Sequence, residues 1–420
     1  MRFINGRSVL VLAMLAVTSS AAANTELSMV TKQHLDSRGG VDRVSGLMRY
    51  EMRGTVIRGG KSQPMHVWFK YPNKLRVDVG RGEDVTTSIY DGKAAWVIEP
   101  GPWGKEPAGM APGEREIFCR QADFAGPLIG CEKKGVKVVP DAKTWGNEGY
   151  LFHIERADGY KDQLFVDPNL RLAKSEKYQI DADSYAEQKF SKYRRVEGFA
   201  VPGHIERFID GKLVETIEVA EFTIGPEMPD KHFAVNATDY SGTVASNLVD
   251  LNSMEDLRER YKADEGRVRI VAFLSPTSAE GRRGYLDLQN ALKNINDERL
   301  RAYVVWTSVL DTDKRAAAGA RAAECKDPRV TAFWDQTQAA AGQWSKVVSA
   351  DHPVWNSYFV NGPTASWDAN PPVPQYWLQG NSLTSTENGP ARVDGFSKVR
   401  DMLATMAEDG KSGKGTNSKR

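Results

Sequence analysis

A chain of 420 residues has room for two domains at roughly 100–200 residues each. Its 56 lysines and arginines nearly balance its 55 aspartates and glutamates, leaving a formal net charge of +1. That balance argues against a general nucleic-acid binder, which needs a basic excess to meet phosphates. At the N-terminus, Arg2 and Arg7 precede the short apolar run from Val9 to Val17, and Ser20-Ala21-Ala22-Ala23 supplies small residues. These three regions predict a signal peptide over 1–23, cut before Asn24, and hence a periplasmic protein, soluble after cleavage. A membrane anchor is the alternative, but the apolar run falls far short of the roughly 20 residues a bilayer requires. No cysteine follows the run, so lipid attachment there is not indicated.

The next residues, Leu27 to about Leu47, carry a helical pattern that Gly39-Gly40 interrupts. The texture then changes to strands at Met48 to Val56, Met65 to Tyr71, Leu75 to Val79, Thr86 to Tyr90 and Ala94 to Ile98. Arg58-Gly59-Gly60, Pro72-Asn73 and Asp91-Gly92 separate them as turns. Further strands are expected at Tyr150 to Arg156, Gln163 to Val166, Ala173 to Ile180, Gln188 to Arg195, His204 to Ile209 and Val214 to Thr223. Asp167-Pro168-Asn169 and Asp210-Gly211 read as hairpin tips between them. Strands joined by short turns pair antiparallel, and a sheet this long curls, splits or closes. Val67-Trp68-Phe69-Lys70-Tyr71 carries aromatics at both parities. Such a strand either separates a helical layer from a ligand cavity or lies in a dense core.

Cys119 and Cys131 bracket Gln121 to Leu128 and are candidates for a disulfide worth about 2–4 kcal/mol. A helix and a strand holding the two thiols apart is the alternative. Cys325 has no evident partner and reads as a small buried residue.

Val67-Trp68-Phe69-Lys70-Tyr71-Pro72-Asn73-Lys74-Leu75-Arg76 resembles the strand–turn–strand of periplasmic lipoprotein carriers and outer-membrane lipoprotein-sorting proteins. Tyr90 to Pro100, Gln121 to Leu128, Phe165 to Asn169 and Tyr193 to Pro202 follow in the order of that family. The resemblance spans roughly Thr25 to Val235 and implies a curved antiparallel half-barrel, capped by helices, with an apolar cavity for acyl chains. An acyl chain so buried gains about 0.8 kcal/mol per methylene, so a carrier needs shape and apolar surface more than reactive groups. Trp68, Phe69, Leu75, Val77 and Trp96 are the expected cavity residues. The carriers keep a lid-latching arginine just before this Pro-Asn, where the chain has Tyr71. Arg76 is nearby but at a different position. Carrier-type lid closure is therefore in question, and stress-sensing envelope proteins with a similar barrel and an added domain stay in view.

Residues 237–262 read as a linker broken by Asp239-Tyr240-Ser241-Gly242, with a short helix from Ser253 to Tyr261. Beyond it, strands at Arg267 to Leu274, Leu300 to Val309, Val330 to Trp334, Trp355 to Val360 and Gln375 to Leu378 alternate with helices. Those helices are Gly284 to Ile295, Arg315 to Glu324, Ala339 to Val347 and Gly395 to Ala407. Alternation of this kind implies parallel pairs covered on both faces. The order, with Phe273-Leu274-Ser275-Pro276, Asp327 to Val330, Phe333-Trp334-Asp335 and Trp355 to Tyr358, resembles a thioredoxin-like branch in which Cys-x-x-Cys follows the Ser-Pro. Ser278 and Gly281 stand at the two cysteine positions, and without a thiolate and its resolving partner no disulfide exchange is expected.

The expected fold class is thus α+β: a half-barrel over 24–236, a linker, a degenerate α/β thioredoxin-like domain over 263–409, and a basic tail over 410–420. The tail's Gly410-Lys411-Ser412-Gly413-Lys414 lacks the spacing of a phosphate loop. The six histidines are scattered without metal-ligand spacing, and no Gly-x-Ser-x-Gly elbow occurs. The function this supports is a non-catalytic periplasmic carrier or binding protein for lipid, lipoprotein acyl chains or another apolar ligand, with no metal and no cofactor. The alternative is an envelope sensor or interaction protein that docks a protein partner through its redox-inactive second domain.

Overall fold

The computed structural model describes residues 27–379 apart from 142, 147, 158, 181–183 and 242–246. The expected signal peptide, the helix at 395–407 and the basic tail lie outside the described residues. The chain divides into two compact units. The first takes in residues up to Ala95, Glu99–Pro102 and Glu116–Ala234; the second takes in Trp96–Ile98, Trp103–Arg115 and the residues from Val235 on.

The chain opens with α1 (27–38) and the single turn α2 (Val41–Ser45). Then come β1 (Arg49–Arg58), β2 (Lys61–Lys70), β3 (Lys74–Val79), β4 (Thr86–Tyr90), β5 (Ala95–Ile98) and the short β6 (Ala108–Gly109). Helix α3 (Pro112–Gln121) follows, and then β7 (Val136–Pro140), β8 (Tyr150–Arg156), β9 (Lys161–Val166), β10 (Ala173–Gln179) and β11 (Tyr185–Ser191). β12 (Arg194–Val196), β13 (Phe199–Val201), β14 (His204–Ile209) and β15 (Lys212–Ile224) complete the series.

In the first unit the strands lie in the order β4-β3-β2-β1-β15-β14-β11-β10-β9-β8-β7, every neighbouring pair antiparallel. The order is that of an open sheet rather than a closed barrel among the described residues. β12 and β13 form a separate hairpin. The tips follow turn chemistry: Gly59 and Gly60 take φ of 52° and 77°, and Asp210 and Gly211 take 48° and 76°. Two successive positive φ values define the type I′ turn that matches strand twist. At 167–170 the Asp167 carboxylate accepts the Asn169 and Leu170 amides at 2.8 Å each, so an aspartate closes the turn.

The second unit contains β16 (Val249–Asp250), α4 (Met254–Ala263), β17 (Val268–Leu274), α5 (Ala279–Asn294), β18 (Leu300–Thr307) and α6 (Arg315–Glu324). β19 (Val330–Asp335), α7 (Ala339–Val347), β20 (Ser357–Asn361) and β21 (Tyr376–Gln379) follow. The sheet order is β16-β19-β18-β17-β20-β21. The first four strands run parallel, β20 runs antiparallel to β17, and β21 runs antiparallel to β20. All seven residues of β17 are buried because one apolar cluster covers each face. Tyr285, Leu288 and Trp306 lie in one cluster, and Phe273, Trp344 and Trp367 in the other. The Ser253 to Tyr261 helix expected in the linker is α4, and it packs into this unit through Leu257 and Tyr261.

Two polar devices shape the end of β17. Buried Asp313 accepts from Ser275 Oγ at 2.9 Å, from Thr277 N at 3.1 Å and from the Val309 and Leu310 amides at 2.8 Å. It ties the loop after β17 to the loop after β18. Ser278 caps α5, its Oγ accepting the Gly281 amide at 2.9 Å. A Cβ on Gly281 would lie 2.0 Å from the Ser275 carbonyl oxygen, and one on Gly284 would lie 2.1 Å from Tyr358 Oη. The second position of the expected redox pair therefore admits no side chain in this backbone. Helix α5 also starts five residues before its expected Gly284, because both glycines are packing sites rather than breaks.

Gly281→Ala should destabilise the protein by about 1–3 kcal/mol, the usual cost of overpacking. Urea denaturation at constant m-value checks this, and no loss of stability would mean that the loop has room to yield. Ser278→Cys combined with Gly281→Cys should gain no insulin-reducing activity.

Candidate ligand cavity

Alternation along the strands gives the first unit's sheet two distinct faces. One face carries Phe69, Leu75, Tyr50 and Ile217 along one half and Phe152, Ile154 and Leu164 along the other. Cross-strand register then lines up Leu164, Glu176, Gln188, Arg207 and Glu215 on this same face across β9, β10, β11, β14 and β15. A row of polar side chains thus runs through the face that the sequence suggested would be apolar.

Helix α3 and the stretch 122–135 lie over this row. Arg207 donates to Glu215 and, at 2.6 Å, to Gln121 Oε1 of α3, while Arg58 donates to Glu215 at 2.6 Å. Burial alone would raise the Glu215 carboxyl. The charges of Arg207 and Arg58, with their hydrogen bonds, outweigh it and hold the pKa below the usual range. One residue earlier on α3, Arg120 meets Glu116 at 2.9 Å and Asp162 at 3.2 Å. Arg156 meets the same two carboxylates at 2.7 and 3.8 Å. Asp162 is buried, and desolvation leaves its pKa raised despite the two guanidiniums.

Between α3, the 122–135 stretch and strands β7 to β10 lies a cavity of about 370 Å³. Its apolar wall is Val136, Ile154, Leu164, Ala122 and Pro127. Its polar wall is Glu116, Arg120, Asp123, Lys134, Asp162 and Glu176 with Tyr178. Tyr178 Oη donates to Glu176, whose carboxyl is raised first by burial and further by the charges of Asp123 and Asp162.

The roof over this space is tied down by Arg38, the last residue of α1. Its guanidinium donates to the carbonyls of Ala125 at 2.6 Å and Phe124 at 2.5 Å, and stands 5.7 Å from the Phe124 ring. One turn back on the same helix, buried His34 donates from Nδ1 to the Arg171 carbonyl at 2.9 Å. A carbonyl only accepts, so the other ring nitrogen needs no proton. Burial first, and the Arg38 charge second, push the His34 pKa down to about 4.

None of the five expected cavity residues lines this space. Phe69 stacks on Tyr50 at 5.0 Å within an aromatic cluster that includes Phe124 and Phe222, and Leu75 is buried in β3. Val77, partly buried, pairs with Val67 in the β2–β3 ladder. Trp68 points to the opposite face, with ring centroids 3.6 Å from His66 and 5.0 Å from His232, and with Arg76 at 5.5 Å. Trp96 pairs with Gly109 in the second unit. Tyr71 is exposed, and Arg76 pairs with Asp78 and donates to the His232 carbonyl, so neither residue ties the roof. The cavity residues were missed because α3 carries four charges among its ten residues and shows no apolar period, the signal by which a helix is read.

No disulfide joins Cys119 and Cys131: Cys119 looks into the cavity from α3, while Cys131 sits ten residues past the helix end in the turns that lead to β7. Cys325 is also free and packs beside the cluster that contains Tyr285. Among the described residues no group of three or more histidines, cysteines, aspartates or glutamates could hold a metal ion, and no helix is long and apolar enough to cross a membrane.

Neither a protein-family profile nor a curated protein matches the sequence. Among solved structures, the chain is similar to a LolA superfamily protein from Nitrosomonas europaea, at 11% identity over 48% of this chain and 96% of that one, with a TM-score of 0.36. It is similar to a DUF1329 family protein from Desulfovibrio piger, at 13% identity over 49% and 97%, with the same TM-score of 0.36. A third likeness is to the MucA/MucB complex of Pseudomonas aeruginosa, at 10% identity over 49% and 61%, with a TM-score of 0.18.

The depressed His34 pKa fixes a pH dependence. The folded state resists protonating His34, so its contribution is fully present above pH 6.5 and is lost as pH falls from there towards 4. The loss amounts to roughly 3 kcal/mol at about 1.4 kcal/mol per pKa unit. Urea titrations at pH 7 and pH 4.5 should show a smaller pH-dependent loss in His34→Asn than in the parent chain. An equal loss in both would rule out His34 as the source. Arg38→Met should release the roof, raising hydrogen exchange across 122–128 while β1 and β15 keep their protection.

Proposed function

We propose that the first unit is a periplasmic carrier or binding domain that holds one apolar or amphiphilic chain and performs no covalent chemistry. In this reading the α3-covered face is the inside of a half-open barrel. The observation that carries it is the roofed cavity of about 370 Å³, part apolar and part polar, between α3 and strands β7 to β10. Ligand sites occupy about 300–1,000 Å³, and this one is near the small end. At about 30 Å³ per water-sized group it holds about a dozen such groups. That suits a single short chain and is too little for an anchor with several acyl chains. Ten buried methylenes contribute about 8 kcal/mol before the costs of binding, which corresponds to micromolar affinity at best.

The second reading, an interaction protein docking partners through a redox-inactive thioredoxin-like domain, rests on Ser278 and Gly281. Against it, the loop after β17 is already covered by the chain's own segment. Gly109 N donates to Thr277 O at 3.0 Å, and Arg282 donates to Glu106 O at 2.9 Å. Arg321 pairs with the Glu106 carboxylate.

Native mass spectrometry of protein purified from the cell envelope should reveal a small bound molecule. The fluorescent probe N-phenyl-1-naphthylamine should bind the emptied protein, and Pro127→Trp, which fills the cavity from its roof, should weaken that binding at least tenfold. A protein that is empty as isolated and does not bind the probe contradicts the carrier reading.

A further inference from the structure

We propose, resting on the cavity reading above, that the ligand carries a head group that donates hydrogen bonds, an alkylammonium or a hydroxyl rather than a carboxylate or phosphate, and that Glu176 receives it. The argument is an account of which charges on the cavity wall are already committed. Glu116 and Asp162 share Arg120 and Arg156 between them. Asp123 is held by Lys134 at 2.6 and 2.8 Å through both oxygens. Glu176 accepts from Tyr178 Oη and has no ion pair among the described residues. A carboxylate offers about four lone-pair sites, so acceptor capacity remains.

The cationic groups nearby do not offer the converse. Arg38, whose charge Glu176 feels, spends its guanidinium on the Phe124 and Ala125 carbonyls. Arg120 is committed to Glu116 and Asp162, and Lys134 to Asp123 and the Gly126 carbonyl. An anionic head entering here would face the acceptor oxygens of Glu176 with Asp162 and Asp123 close by, and the two cations on the wall, Arg120 and Lys134, are already shared with carboxylates. A donor head meets an acceptor that is already in place. Sheet register puts Glu176 directly opposite Leu164, at the junction of the polar row and the apolar wall. A chain lying along Leu164, Ile154 and Val136 brings its head to this carboxylate.

The test is displacement of bound N-phenyl-1-naphthylamine at pH 7 by decylamine, decanol and decanoate, with decyltrimethylammonium as a cation that has no N–H donor. In the parent chain decylamine should compete at least tenfold better than decanoate, and better than the trimethyl compound. Glu176→Gln should reduce the decylamine-to-decanoate ratio below threefold, each ratio being read against that variant's own probe affinity. Glu187→Gln, on the opposite face, should leave the ratio unchanged. Equal competition by decylamine and decanoate, a preference for decanoate, or a preference that survives Glu176→Gln overturns the inference while leaving the cavity reading intact. Failure of the probe to bind the parent chain at all overturns both. Should Glu176→Gln fail to fold, the comparison of decylamine with its trimethyl analogue in the parent chain still decides: equal competition by the two overturns the donor requirement.

Discussion

Burying a charged row on the covered face of a sheet imposes one requirement that much else in the first unit answers: each charge must find a partner without water. Leaving one member of a buried pair uncompensated costs about 3–5 kcal/mol, and the row is paired accordingly except at Glu176, which accepts from the Tyr178 hydroxyl. Glu215 and Arg207 sit opposite each other by register, but Arg207 still needs an acceptor above the sheet, and Gln121 supplies it. Asp162 needs cations, and Arg120 and Arg156 supply them with Glu116 as the balancing anion. Helix α3 is thereby placed by polar contacts at Glu116, Arg120 and Gln121, with only Phe118 of its residues fully buried. A helix held at the height of salt bridges does not press its side chains into the sheet as an apolar helix does. The cavity occupies the space that this mode of attachment leaves open.

The second unit follows the opposite logic. Its sheet is sealed on both faces by aromatic clusters, and its polar groups work at the strand ends, where Asp313 gathers the loops after β17 and β18. The loop after β17 is a closed packing unit. Ser278 caps the helix, and Gly281 lies so near the Ser275 carbonyl that a side chain has no place. The backbone geometry therefore admits no side chain at position 281.

Strand periods and turn residues were legible in the sequence because each rests on local chemistry. β4, β8, β14 and α6 fall where their patterns put them, and Asp210-Gly211 and Asp167-Pro168-Asn169 make the turns expected of them. The cavity was not legible for a reason that is equally physical. Which face of a strand is covered by a helix depends on partners far away in the chain, and in β2 both parities are aromatic. Phe69 went into a packed cluster and Trp68 to the opposite face against two histidines. The residues that do border the cavity, Glu116, Arg120, Asp162 and Glu176, look in sequence like ordinary surface charges. Asp162 and Glu176 reach this face through strand register, and Glu116 and Arg120 through the placement of α3, both set by residues dozens of positions away.

The roof over the cavity is fastened from α1. The position before Pro72 holds exposed Tyr71, which makes no latch. Arg38 approaches the roof from α1 instead and holds two successive backbone carbonyls rather than a side chain. Carbonyls accept strongly from a guanidinium but carry no charge, so this closure is weaker than an ion pair would be in the same setting. It also cannot be switched off by protonating a partner. Glu176, which feels the Arg38 charge, has no ion pair among the described residues and lines the cavity. Arg38 fastens the roof through backbone carbonyls, and this carboxylate stays available for a ligand.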